Sequence, residues 1–190
     1  MKGCVFMQNN TKKLSLSAVM LALATVLSLV KIFELPNGGS ITAASMLPVI
    51  IVSYLYDFKW SLFVAFTYSL LQMLCGFFPP PTRDVFSFFA VIMLDYVLAF
   101  TVLGAAGQLS KKIKNVKIKY TAGAAAVIFA RFICHLISGI IIWKVYAPEG
   151  QSPFVYSLLY NGSFMGIEFI ITVILIFFLS ERIEKLKNSF

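Results

Sequence analysis

The sequence predicts an all-α integral membrane protein: six transmembrane helices in a compact bundle, with both termini cytoplasmic. Three observations carry that expectation. Hydrophobic residues make up 59% of the 190-residue chain and charged residues 13%, about half the roughly 25% charge of an ordinary soluble domain. Mean hydropathy is +0.88. The apolar residues fall in six runs, and at ~20 residues per span six helices use about 120 residues. What is left suffices only for short connections, so residues 1–190 read as a single membrane domain. A soluble enzyme, a disordered tail, a collagen and a disulfide scaffold are excluded by the same figures.

The first helix is expected over 14–33. Its apolar stretch exits into Lys31, Glu34 and Pro36 with no small-residue cleavage site, which reads as a retained helix, not a signal peptide. Pro36, Asn37, Gly38 and Gly39 then stop it. The second run, 42–56, is short for a span. Asp57 and Lys59 separate it from the third, 60–78, which ends at Pro79, Pro80 and Pro81. The fourth, 86–109, runs into the lysine-rich stretch SKKIKNVKIK, a topology anchor against anionic lipid. The fifth, 120–145, stops at Pro148 and Gly150, and the sixth covers 154–180.

Basic residues set the orientation. With the N-terminus inside, the cytoplasmic side carries Lys2, Lys12, Lys13, Lys59, five lysines within 111–119, Arg182, Lys185 and Lys187, twelve in all. The outside carries three, Lys31, Arg83 and Lys144. The net charge of +8 therefore reflects topology, not nucleic-acid binding. Cys4, Cys75 and Cys134 have neither CxxC nor metal-ligand spacing, so no metal site is expected.

Charged groups inside a bilayer cost ~2.5–3.5 kcal/mol each on the translocon scale and mark function. Three fall at depth here: Asp95, Arg131 and Glu168, joined by His135. Arg131, His135, Gly139 and Trp143 recur every four residues and share one helical stripe. Tyr68 and Gln72 share a face of the third helix; Tyr96, Tyr156 and Asn161 lie at matching depths. The set suggests a polar, aromatic-lined pocket in the outer half of the membrane. If Glu168 and Arg131 pair, Asp95 is left to meet a cation, with Trp143 and the tyrosines supplying ring faces. A buried pair that only ties helices together is the competing reading of the charges. No phosphate loop and no HExxH occur, so ATP hydrolysis and zinc proteolysis are not expected. Ala18 and Ala22, one helical turn apart, suit close approach of a second helix or packing within the bundle.

Several separated stretches resemble one family. These are LPNGGSITAASMLP at 35–48, LDYVLAF at 94–100, and RFICHLISGIIIWKVYAPEGQSPFVYSLLYNG at 131–162. The chain resembles the substrate-binding (S) components of energy-coupling factor (ECF) vitamin transporters, of the thiamine-specific ThiT/YuaJ type. That resemblance implies capture of thiamine from outside by a protein that is not an enzyme and has no cofactor. It implies delivery through a transmembrane coupling protein and two ABC-type ATPases, which alone use ATP, in the bacterial plasma membrane. By position, Asp95, Tyr96, Arg131, His135, Gly139, Trp143, Tyr156, Asn161 and Tyr68 would bind the ligand. Ala18 and Ala22 would form the coupling surface, and the loop 34–42 would close the site. Phe33 and Tyr68 stand where some relatives carry tryptophan; Glu168 has no family role. The alternatives are a stand-alone carrier for an organic cation or thiamine precursor, and an intramembrane enzyme built on Asp95, His135 and Glu168.

Overall fold

A computed structural model describes residues 2–82 and 84–189, with side chains from residue 10 onward. Arg83 and the side chains of Lys2 and Cys4, which enter the sequence reading, lie outside it. Among the described residues six helices are present: α1 (Lys2–Leu29), α2 (Leu47–Leu55), α3 (Phe58–Gly76), α4 (Val85–Leu109), α5 (Val116–Ile141) and α6 (Pro153–Lys187). All but α2 are long and apolar enough to cross a membrane.

The first helix departs most from expectation. It begins well before residue 14 and ends at Leu29, because the next residues form a strand. That strand, β1 (Lys31–Glu34), pairs antiparallel with β2 (Ser40–Thr42), Phe33 opposite Ile41 and Glu34 opposite Ser40. One 3₁₀ turn, Pro36–Gly38, joins them, with Asn37 at φ 67° and Gly38 at φ 92°. Asn and Gly are the residues that tolerate that left-handed region. The expected loop over 34–42 is thus a structured hairpin.

The second run shrinks to nine residues, a helix only about 14 Å long at 1.5 Å per residue. It does not need to span the bilayer alone. Thr42, at the base of the hairpin, already meets Glu168 midway along α6, so α2 covers only the remaining depth. It is buried from Pro48 almost throughout.

The Lys13 part of α1 and the end of α6 lie at one end of the bundle. Lys13 of α1 pairs with Asp57 of the α2–α3 turn at 2.5 Å. The Tyr54 hydroxyl at the end of α2 donates to the Tyr120 carbonyl at the start of α5. Lys117 and Lys119 of α5 reach Glu181 and Glu184 near the end of α6, at 3.2 and 3.7 Å. Asp57 also caps α3, accepting from the Trp60 N–H at 3.1 Å. The Lys13 ammonium beside it holds its carboxyl below the usual carboxylate range.

The α4 helix is irregular where function is expected. It is α-helical to Val91, widens to a π-helix over Ile92–Leu98, and tightens to 3₁₀ over Val102–Ala105. Such π segments insert an extra residue per turn and re-aim side chains; this one carries Asp95 and Tyr96. Helix α5 ends at Ile141, earlier than 145, and a 3₁₀ turn, Trp143–Tyr146, follows. Helix α6 runs past 180 to Lys187. Val19, Leu23, Phe63, Phe129 and Phe178 are exposed on the outer helix faces, a surface that lipid would cover.

Candidate ligand-binding site

A cavity with room for about 190 Å³ opens between the hairpin and the ends of α1 and α3–α6. One water needs only about 10–15 Å³ by the same kind of measure, so the space fits a small organic molecule. Eight of the nine sequence-predicted site residues line it: Asp95, Tyr96, Arg131, His135, Gly139, Trp143, Tyr156 and Asn161. Tyr68 does not. It is fully buried, its hydroxyl 3.4 Å from the carbonyls of Ala24 and Ser45 and its ring edge-on to Phe100. Gln72, one turn later, lines the cavity instead and donates to the Ser28 hydroxyl at 2.9 Å. Phe33 is outside the cavity wall, on an exposed strand face.

Asp95 is the hub of the polar wall. Its Oδ1 lies 3.0 Å from His135 Nδ1, and its Oδ2 accepts from the Ser138 hydroxyl at 2.6 Å and the Trp143 indole N–H at 2.9 Å. The carboxylate that the sequence leaves to meet a cation is thus held in place by hydrogen bonds from the wall. A bare anion in an apolar bundle would be costly, and three donors stabilise this one while it stays in the cavity wall.

The network also sets the state of His135. Arg131 Nε can only donate, and it lies 3.4 Å from His135 Nε2. The ring therefore accepts there, is neutral, and carries its proton on Nδ1, where it donates to Asp95; this tautomer is assigned from the hydrogen bonds. Arg131 itself is 8% exposed, with its guanidinium carbon 4.3 Å above the Phe100 ring. Its Nη1 stands 3.8 Å from Glu168 Oε2 and has no hydrogen-bond partner among the described residues. Among the charges at depth in the wall, Asp95 and Glu168 outnumber Arg131 by one; Lys31 also lines the cavity, with its ammonium on the exposed carboxylate of Glu34.

The remaining predicted residues shape the space. Gly139 lets α6 approach α5: a Cβ there would fall 2.0 Å from Ser157 Oγ. Ser157 and Asn161 occupy that contact, donating to the carbonyls of Leu136 and His135 at 2.8 and 3.2 Å. The Tyr96 hydroxyl accepts from the Phe78 N–H at 2.8 Å and donates to the Gly76 carbonyl at 3.0 Å, fixing the chain between α3 and α4. Trp143 packs against Phe78, centroids 5.6 Å apart.

The resemblance placed the loop 34–42 over the site, though not as a strand pair, while Ser138 and Tyr160 were missed. Ser138 lies three residues after His135 and Tyr160 four after Tyr156, so helical spacing alone could have found both. Nothing in the local sequence marks Thr42. Ala18 and Ala22 lie on the exposed face of α1, which removes packing within the bundle as their explanation.

Comparison with known proteins agrees with this architecture. The solved structure of ThiT from Listeria monocytogenes superposes with a TM-score of 0.74 at 21% identity, covering 94% of this chain and 98% of that one. The chain is 30% identical to the thiamine transporter ThiT of Bacillus subtilis over 185 residues, covering 90% of this chain and 92% of that protein. It is 32% identical over 93 residues to the thiamine transporter ThiT of Lacticaseibacillus paracasei, 44% of this chain and 46% of that one. Residues 14–188 match the model of the family described as Thiamine transporter protein (Thia_YuaJ). A six-helix fold with a polar cavity, matched over nearly its whole length, thus belongs to the thiamine transporter family.

Proposed function

We propose that the cavity binds thiamine and that the chain is the S component of an ECF-type importer. One observation supports this reading above the others: a buried wall with one carboxylate in excess of Arg131, flanked by aromatic rings, suits a singly charged, flat, heteroaromatic cation. Asp95 supplies the counter-charge. Trp143 and Tyr156 offer ring faces. The relatives' printed names as thiamine transporters support the same ligand.

The chain is a multi-pass protein of the bacterial plasma membrane, in a family named for transport and not for bond chemistry. The shared end of the bundle, rich in lysine, is the cytoplasmic one on the positive-inside rule. Delivery would proceed through a transmembrane coupling protein and two ABC-type ATPases. The exposed Ala18 and Ala22 face of α1 is the surface we assign to that coupling protein, because small residues allow close helix approach.

Mass spectrometry of the chain purified without added ligand tests the reading. Co-purifying thiamine is expected. A different organic cation, with no displacement by thiamine, would contradict it. Uptake that persists without any ATPase and collapses with the proton gradient would instead favour a stand-alone carrier.

A further inference from the structure

Ser138 lies on α5 between His135 and Trp143, 0% exposed, and takes no part in the cavity wall. Its hydroxyl is directed unlike those of other helical serines in this chain. Ser53, Ser69, Ser163 and Ser180 each donate to the carbonyl three residues back, at 2.7 Å. That local acceptor is always at hand for a hydroxyl on a helix. Ser138 instead donates across to α4, reaching Asp95 Oδ2 at 2.6 Å. Its Oγ also stands 3.1 Å from the Trp143 indole nitrogen, whose N–H reaches the same Asp95 Oδ2 at 2.9 Å. Oγ, Oδ2 and Nε1 thus close a triangle, and of the three residues only Ser138 is absent from the cavity wall.

The three corners differ in how firmly the backbone holds them. Asp95 sits on the π segment of α4, and Trp143 on the 3₁₀ turn beyond the end of α5. Ser138 alone is on regular α-helix. Its hydroxyl is therefore the fixed point against which the acid and the ring are registered, as a site needs from the residues supporting its contact groups. His135 Nδ1 holds the other carboxylate oxygen at 3.0 Å, so both oxygens are tied to α5 and the carboxylate plane is set.

We propose that Ser138 is a positioning residue that determines the charge specificity of the site. It keeps the Asp95 carboxylate at the edge of the Trp143 ring, so that a cationic heteroaromatic ring stacked there is preferred to a neutral ring of the same shape. This inference rests on the cavity being the thiamine site.

Calorimetric titration of the full chain in detergent with two ligands tests it. One is thiamine; the other is its deaza analogue, in which a neutral thiophene replaces the thiazolium. The readout is the ratio of the two affinities. Ser138→Ala should lower thiamine affinity about tenfold, the scale of a lost hydrogen bond to a charged group, and the analogue's by no more than about twofold. Ser138→Cys fills the space with a weak donor and should behave like Ser138→Ala. Ser138→Thr returns the hydroxyl and should restore the ratio to within about twofold. On an Asp95→Asn background, Ser138→Ala should leave the ratio where it is, because the hydroxyl acts through the carboxylate.

Unchanged thiamine affinity in Ser138→Ala, or equal losses for both ligands, would overturn the proposal while leaving thiamine binding intact. A ratio restored by Ser138→Cys would mean that the residue only fills space, which also overturns it. So would a further narrowing of the ratio on the Asp95→Asn background. If Ser138→Ala does not fold, the Ser138→Cys and Ser138→Thr pair decides alone. Absence of saturable thiamine binding in the unmutated chain would overturn the reading of the cavity, and this inference with it.

Discussion

The Trp143 indole N–H donates to Asp95 Oδ2 at 2.9 Å, so the acid and the aromatic wall of the cavity are one unit. The bond joins the π segment of α4 to the turn after α5 and fixes the plane of the indole. An occupant stacked on that ring therefore lies beside the carboxylate by construction. Charge and stacking act together only because His135 and Ser138 complete the same hydrogen-bond set.

Asp95→Asn should break that unit. An amide offers one acceptor oxygen and an NH₂ group to three donors, and it removes the counter-charge. Thiamine affinity by calorimetry should fall about tenfold or more, the scale of a lost charged hydrogen bond, with the helical circular dichroism spectrum retained. Unchanged affinity would remove Asp95 from the site.

Gly139→Ala places a methyl group 2.0 Å from Ser157 Oγ. Overpacking of this kind costs about 1–3 kcal/mol, so the melting temperature should drop. Adding Ser157→Gly, which clears the space, should recover most of the loss. A single variant as stable as the parent would mean that α5 and α6 can spread freely.

Tyr160→Phe removes both hydrogen bonds at the hairpin tip, from the Gly39 N–H and to the Pro36 carbonyl, while keeping the ring. Hydrogen exchange should then quicken at the amides of 37–42, with α5 and α6 unaffected. Exchange that stays at the parent rate would show that the tip is held by packing against Phe164 and Phe78 instead.

Ala18→Leu and Ala22→Leu enlarge two exposed positions of α1. Uptake by reconstituted transporter should fall severalfold, while thiamine affinity in detergent stays at the parent value. Loss of both together would indicate misfolding.

Much of this site was legible because a bilayer penalises polarity. Asp95, Arg131, His135 and Glu168 stood out against apolar runs, and the four-residue spacing of Arg131, His135, Gly139 and Trp143 placed them on one face before any contact was known. The loop 34–42 was legible only by resemblance, and its strand pairing was not. Lys31–Glu34 and Ser40–Thr42 are too short to show a strand period, and the first apolar run continues into Lys31–Glu34 without a break. The contact of Thr42 with Glu168 exists only because β2 meets α6. Tyr68 misled for the opposite reason: helical spacing put it beside Gln72, but a turn of depth separates the cavity wall from the core. The π segment has no sequence signature here, although it carries Asp95 and Tyr96, which both line the cavity.

The central claim is that this charged, aromatic cavity holds thiamine, and its two tryptophans permit a direct test. With Trp60→Phe, Trp143 alone reports. Titration with thiamine should quench its emission saturably at one molecule per chain, and Asp95→Asn should shift the midpoint upward. An emission that stays flat across the titration, in a chain with intact helical content, would contradict the account.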